Sequence, residues 1–326
     1  MSNNESNVLD RIVTLIKNSK SFFIAGHVNP DGDSLGSALA FSSVLNRLNK
    51  SACVYSINKI PSKLKFLQSN NQFKHSVQVL EVFDCAILLE VSKLSRLGNI
   101  IQRNRLKKII NIDHHVDCDY FGDINYIIPT SSSTAELVFK IFQYMKISLT
   151  NNEAECLYTG ILTDTGCFQQ PNTTIDAHTA SIQLMKYNLD VNKIYKEIYA
   201  NNTIEQLKLL GLALYNMKIA INHTLAYISI TKKMLYLTKT NHNDIKGIVN
   251  YTLRTNNIKI GCLFEEIDSL TTKISFRSVN SVNVLKIAKQ FNGGGHINAS
   301  GCIIKNNLNI SINLVISYIK DELKVL

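Results

Sequence analysis

The sequence predicts an α/β fold: a doubly wound, mostly parallel sheet followed by a second, smaller mixed α/β domain. Three observations lead there. In the first half, short apolar runs alternate with stretches of helical periodicity, the pattern of parallel strands joined by crossover helices. After about residue 220 the apolar period changes to two. Finally, His27, Glu90 and His114 each follow the carboxyl end of an apolar run, which is where such sheets bind ligands.

Taken in order, Phe22-Phe23-Ile24-Ala25 is the first buried strand. Ser34 to Leu48 reads as a helix with apolar positions near Leu35, Ala38, Leu39, Ser42 and Leu45. Cys85 to Leu89 and Ile109 to Ile112 are further buried strands, and Ala135 to Tyr144 is a helix behind a Ser/Thr run. Asn151 to Thr163 carries Ala154, Leu157, Tyr158, Ile161 and Leu162 on one helical stripe. A helix over Ile175 to Tyr187 closes the first domain, assigned to residues 1–188. Residues 189–220 are polar and helical, a connector. In the second domain, 221–326, Thr224 to Thr231, Ile258 to Phe264 and Lys273 to Val279 alternate as strands. The helix Val282 to Phe291 then runs into Gly293-Gly294-Gly295-His296.

The chain has 326 residues, 45% hydrophobic and 18% charged, as ordinary globular proteins do. No apolar segment reaches the roughly 18 residues that span a bilayer, and Met1 to Glu5 lacks a secretory pattern. Seven scattered cysteines, none in a Cys-x-x-Cys spacing, argue against a zinc ribbon or redox pair and for a reducing compartment. The expectation is a cytoplasmic protein with no membrane partner. A net charge of +10, carried mainly by lysine, suits a polyanionic substrate as well as it suits a coding bias toward lysine.

His27-Val28-Asn29-Pro30-Asp31-Gly32-Asp33 packs one imidazole and two carboxylates into a turn. These are hard and borderline ligands, suited to Mn²⁺ or Mg²⁺. Read alone, Asp-Gly-Asp before a helix is a turn in which Asp33 could serve as N-cap. The second cluster, Ile112-Asp113-His114-His115, turns the reading toward a shared metal site. Asp164 ends its helix, where the dipole disfavours a carboxylate as a cap. A glycine run such as 293–295 can be a flexible C-cap or can offer N–H groups to a phosphate. Arg277 has the planar fork that grips one.

HVNPDGD at 27–33, IDHH at 112–115, GILTDTG at 160–166 and GGGHINASG at 293–301 together resemble the DHH/DHHA1 phosphoesterase family. The likeness spans about residues 8–305 and is greatest to the NrnA-like branch of bifunctional oligoribonucleases and pAp phosphatases. It implies a metal set of His27, Asp31, Asp33, Glu90, His114 and Asp164, with Asp33 bridging or shared. It implies that His115 faces the scissile phosphate, while Asp113 orients the loop or an imidazole. It also implies substrate contacts from Arg96, Ser133, Thr134, Arg277, Gly293, Gly294, Gly295 and His296. For Arg96 and the Ser132-Ser133-Thr134 run, a solvated arginine and a helix cap are equally natural readings.

The family usually has Asp where this chain has Glu90. Glu adds about 1.5 Å of reach, so it could bridge two cations, bind one, or weaken the site. Asn292 replaces a further glycine and tolerates a left-handed backbone. Gly32 is expected to act as a hinge turning both aspartates inward.

The function implied is hydrolysis assisted by two divalent cations, Mn²⁺ first and Mg²⁺ or Co²⁺ as alternatives, spaced about 3.5–4 Å apart. Its substrates would be short single-stranded RNA, cut to nucleoside monophosphates, and 3′-phosphoadenosine 5′-phosphate (pAp), converted to AMP. The alternatives are a cyclic or linear dinucleotide phosphodiesterase, and a non-catalytic nucleotide-binding protein with a decayed metal site. The second domain is expected across a cleft from the metals, and a homodimer is an open possibility.

Overall fold

The computed structural model describes residues 3–67, 72–279 and 282–324. The chain divides into two units, residues 1–201 and 202–326. The first contains α1 (Asn3–Asn18), β1 (Ser21–Ala25), α2 (Gly32–Arg47), β2 (Ser51–Ser56), β3 (Phe73–His75) and β4 (Phe83–Leu89). It continues with β5 (Leu106–Asp113), β6 (Ile124–Ile127), α3 (Thr134–Tyr144), α4 (Asn151–Asp164), α5 (Ile175–Met185) and α6 (Val191–Tyr199).

The sheet runs β3-β2-β1-β4-β5-β6, and every pairing is parallel. This is the doubly wound order, and its switch point lies between β1 and β4. Chain leaving the carboxyl ends of those two strands diverges, opening a crevice into which both can place side chains.

Period-two alternation with both faces buried explains why the strands read as continuous apolar runs. On one face Phe22, Ile24, Ile87 and Ile110 pack with α1 to α6. On the other, Phe23, Ala25, Ala86 and Leu88 are covered by Val79, Leu97, Ile100 and Leu106. Those covering residues come from segments outside the α-helices, including a 3₁₀ turn at Leu94–Leu97. The strand order is thus doubly wound, while the described helices gather on one face.

Helix α2 is buried along most of its length and lies tightly against α4. A Cβ at Gly36 would stand 2.3 Å from the Cys156 carbonyl oxygen, so the two backbones approach this closely only because residue 36 is glycine. Gly36→Ala is expected to destabilise the protein by about 1–3 kcal/mol through overpacking. A Cβ at Gly211 meets nothing within 4 Å, so Gly211→Ala in the second unit is expected to be neutral or to stabilise by up to about 1 kcal/mol. Urea titration of both variants checks the contrast.

The second unit contains α7 (Ile204–Tyr215), β7 (Lys218–Ala220), β8 (Leu225–Ile230), α8 (Lys232–Thr238), β9 (Ile260–Asp268) and β10 (Thr271–Ser278). It ends with α9 (Val284–Gln290), β11 (Gly294–His296), β12 (Ala299–Ile304) and α10 (Leu308–Lys324). Its sheet runs β11-β12-β10-β9-β8-β7 and is antiparallel except between β8 and β9.

Two expectations change here. The region 189–220 is no free connector: Ile194 and Ile198 of α6 are buried in the first core, and Leu209 and Ala213 of α7 in the second. The glycine run is not a loop either, since Gly294–His296 forms an edge strand paired with β12. A Cβ at Gly293 would stand 2.2 Å from the Gly301 carbonyl oxygen, which makes glycine there a packing requirement. Asn292 does take the left-handed backbone anticipated for it, with φ 55°. Among the described residues, no helix is long and apolar enough to cross a membrane.

Candidate metal centre at the sheet switch point

The turn after β1 is fastened by two hydrogen bonds from its backbone. The Val28 N–H donates to the Arg96 carbonyl at 2.8 Å, and the Asn29 N–H donates to Asn58 Oδ1 at 2.8 Å. Asn29 itself is left-handed, φ 56°. Asp31, not Asp33, is the N-cap of α2, accepting from the N–H groups of Asp33 and Ser34. Gly32 has no left-handed φ; a Cβ there would collide with Thr163 of α4, so close packing rather than a hinge requires it.

This arrangement leaves Asp33 in the first turn of α2, fully buried. Its two oxygens accept from the backbone N–H groups of Thr134 at 2.7 Å and Ala135 at 2.8 Å, the first residues of α3. A helix N-terminus is a natural seat for a buried carboxylate.

Both imidazoles are oriented by backbone carbonyls. His27 Nδ1 lies 2.7 Å from the Val28 carbonyl oxygen and His114 Nδ1 3.3 Å from that of Ser131. A carbonyl can only accept, so in each ring Nδ1 carries the hydrogen and Nε2 presents its lone pair. His27 Nε2 is 3.6 Å from Asp31 Oδ2 and 3.7 Å from Glu90 Oε2. His114 Nε2 is 3.5 Å from Asp164 Oδ2 and 4.0 Å from Asp33 Oδ2.

The predicted residues therefore gather into overlapping groups whose donor atoms lie within 4.8 Å of one another: His27, Asp31 and Glu90; and Asp33, Glu90, His114 and Asp164. A third group joins His115 to Glu90 and His114. Glu90, rather than Asp33, is the carboxylate common to both main clusters. It is 3% exposed and sits at φ 60°, a backbone region that costs a non-glycine residue about 1–3 kcal/mol and is usually found at functional sites.

Electrostatics mark the place independently. Burial, reinforced by neighbouring carboxylates, pushes Asp33 and Asp164 each up to about 7, and Glu90 well above the usual carboxylate range. For Asp31, burial pushes upward, but His27 when its ring is protonated, the Ser34 N–H and Glu90 together outweigh it and hold the carboxyl below that range. Glu90 Oε2 and His114 Nε2 are buried without a hydrogen-bond partner. Carboxylates forced together and an unpaired imidazole nitrogen fit a divalent cation well, because a cation supplies the charge and contacts they lack. Metal-ligating His with the other ring nitrogen on a carbonyl is the expected second layer.

His115 stands apart in its partner. Its Nδ1 lies 2.7 Å from Asp113 Oδ1, which also accepts from the backbone N–H groups of His114 and His115. Asp113 thus orients the loop and the His115 ring, and its hydrogen bond pushes His115 upward in pKa against burial. Arg96 reaches Ser92 Oγ at 3.4 Å and is close enough to His115 to oppose that rise.

The Ser/Thr run takes the capping role. Ser133 is the N-cap of α3, Ser132 Oγ donates to Glu136 at 2.6 Å, and Ser133 and Thr134 are both fully buried. As substrate contacts these two are corrected: their place is beneath Asp33, and what they offer the site is backbone N–H. Sequence reasoning also missed Asn172, which holds Asp164 through Nδ2 at 3.1 Å. Gln169-Gln170-Pro171-Asn172 reads only as a polar turn, so nothing in it signalled the role.

In the second unit, Arg277 on β10 is half-buried and donates to the Phe276 carbonyl at 2.9 Å. Burial lowers its pKa. The backbone of Gly294 to His296 forms the outer strand, and the His296 side chain lies outside the described residues. A cavity of about 800 Å³ lies elsewhere, among Asp10, Arg11, Lys108 and Asp123 at the amino ends of β5 and β6. Its charges are partly satisfied internally, with Lys108 paired to Asp123 and Arg11 donating to the Asp123 carbonyl. The chemistry is at the switch point.

A parallel sheet with overlapping acid-and-imidazole clusters at its switch point defines a metal-dependent phosphoesterase. Comparison with known proteins agrees. The sequence profile of the DHH family, N-terminal domain, matches residues 21–161, and that of the DHHA1 domain matches residues 231–324. The chain belongs to the DHH/DHHA1 family of phosphoesterases.

It is 26% identical to the "Bifunctional oligoribonuclease and PAP phosphatase NrnA" of Thermus thermophilus, over 92% of this chain and 90% of that protein. It is 30% identical to an uncharacterized protein of Mycoplasma genitalium, over 89% and 88% respectively. The crystal structure of an exopolyphosphatase-related protein from Bacteroides fragilis superimposes with a TM-score of 0.90 at 28% identity, covering 98% of both chains.

Proposed function

We propose that the protein hydrolyses short oligoribonucleotides to nucleoside monophosphates and pAp to AMP, using two divalent cations, Mn²⁺ foremost. The observation that carries the two-cation reading is Glu90, whose carboxylate belongs to both clusters. His27 and Asp31 complete one cation site; Asp33, His114 and Asp164 complete the other. The named relative supports the substrate class, since its activity is on oligoribonucleotides and PAP. A decayed, non-catalytic site would need Glu90 displaced from one cluster, and its placement favours turnover.

When bound, the cations would activate water and neutralise charge on the attacked phosphate. The protein's own groups set the geometry. Asp113 holds His115 Nδ1, so Nε2 is the nitrogen that gives a proton to the departing oxygen. The Asp113 hydrogen bond raises the pKa of His115 against burial and so favours the protonated ring that this role needs. Arg96 adds positive charge beside it. Within the second unit, Arg277 and the edge-strand backbone of Gly294, Gly295 and His296 are the groups suited to bind a phosphate, whereas the Gly293 N–H is already donated to the Ala288 carbonyl at 2.8 Å.

The test is Mn²⁺-dependent hydrolysis of a 5′-phosphorylated RNA dinucleotide, a pentanucleotide, a long RNA, pAp and cyclic di-AMP, resolved by chromatography. Mononucleotides from the short RNAs and AMP from pAp are expected. Turnover of cyclic di-AMP alone, or none on a folded Mn²⁺-loaded protein, would overturn the assignment.

A further inference from the structure

The second cluster is assembled on one short segment, Ser131 to Ala135, which leads into the first turn of α3. The Ser131 carbonyl orients His114 through Nδ1. The N–H groups of Thr134 and Ala135 fix both oxygens of Asp33. The remaining acid, Asp164, comes from another part of the chain, the end of α4. What ties it to the same segment is Asn172: its Nδ2 lies 2.9 Å from the Ser132 carbonyl, 3.2 Å from the Asp164 carbonyl and 3.1 Å from Asp164 Oδ2.

The amide orientation is not arbitrary. Turned over, Asn172 would set its own oxygen against three oxygens, so the donor must face them. Its Oδ1 is buried without a partner, so the residue is held here for what its nitrogen donates. Asp164 has no comparable anchor among the hydrogen bonds of α4. By contrast, among the described residues the hydrogen bonds that hold His27 and Asp31 come from Val28, Ser34 and the α2 N-terminus, not from this segment or Asn172.

We infer that Asn172 is a positioning residue for one cation only: it aims Asp164 at the Asp33–Glu90–His114 cluster and leaves the His27–Asp31–Glu90 cluster to its own supports. This rests on the two-cation reading above. Outer partners of metal ligands are worth about 10–100-fold in metal affinity, and the loss of this one falls on one site of the two.

Mn²⁺ titration by calorimetry, with electron paramagnetic resonance of the same samples, tests it on the full chain. Wild type is expected to take two ions and show a spin-coupled pair. Asn172→Ala keeps the first affinity, loses about 10–100-fold in the second, and shows an uncoupled single ion at Mn²⁺ levels that saturate wild type. Asn172→Asp preserves shape but sets a carboxylate against Asp164, so it is expected to be weaker still. A residue that merely fills space would rank this isosteric variant near wild type.

Equal weakening of both sites in the alanine variant, or wild-type binding by Asn172→Asp, overturns the inference. If Asn172→Ala does not fold, the isosteric variant decides. Failure of the two-cation reading itself shows separately, as a wild-type protein that binds one ion or none.

Discussion

Glu90→Gln is expected to abolish turnover, by about 10³-fold or more, and to weaken both cations together. The reason is its double membership: among the described residues, Glu90 is the side chain shared by both main clusters. Second-layer partners of a ligand already cost about 10–100-fold each, and a shared ligand is lost from two sites at once. Glutamine has the shape of glutamate and carries no charge into this buried, acid-rich place, so the amide is not expected to unfold the protein. It removes a carboxylate from a crowd of carboxylates, so the metal-free variant is expected to melt higher than wild type.

Glu90→Asp gives the complementary result. Aspartate tolerates a left-handed backbone better than glutamate but draws the carboxylate back by about 1.5 Å. Activity is expected between that of wild type and the amide, with both cations still bound. Initial rates on pAp and the RNA dinucleotide, with Mn²⁺ titrations beside them, check the series. Glu90→Gln activity within tenfold of wild type would remove Glu90 from the centre of the site.

The legible part of this protein was the part written in local patterns. Parallel pairing followed from strands buried on both faces, as at Phe22 to Ala25 and Cys85 to Leu89. His27, Asp31, Glu90, His114 and Asp164 stood out as a set through the family resemblance of their ordered motifs; read alone, Asp-Gly-Asp before a helix is a capping turn, and Asp31 does cap α2. The rest depended on partners distant in sequence. That Glu90 and not Asp33 belongs to both main clusters is set by how β1, β4 and α3 meet, with Asp33 drawn to N–H groups 101 and 102 residues away. Asn172 was invisible for the same reason. Gly293 to Gly295 were misread as a loop because a glycine run carries no side-chain period. Their strand is specified by β12, against which only glycine at 293 could lie.

Removing the cations should make the protein's stability depend on pH in a direction opposite to ordinary acid denaturation. Asp33 and Asp164 are pushed up to about 7 by burial and by neighbouring acids, and Glu90 is pushed up as well. In the unfolded chain the same groups release their protons near pH 4. Between about pH 4 and 7 the metal-free folded state therefore binds more protons than the unfolded one, and stability falls as pH rises through that window. His115, raised mainly by Asp113, adds in the same direction, its contribution being lost as pH rises through its folded pKa. Asp31 and Asp113 are lowered, so what they contribute is lost only below about pH 4, outside the window. The effect on a fully buried acid such as Asp33 is on the order of a few kcal/mol. The net charge of +10 works the other way, since raising pH relieves self-repulsion, but that term is long-ranged and salt screens it. At moderate salt, melting temperature in EDTA is expected to drop from pH 5 to pH 7. Saturating Mn²⁺ should flatten the curve and raise melting most above pH 7, because a cation replaces the protons that hold the acids together. Thermal melts with and without Mn²⁺ across this range check it, with proton release measured in buffers of different ionisation enthalpy. A metal-free melting temperature that climbs toward pH 8 would mean the acids at the switch point are not forced together in the folded protein.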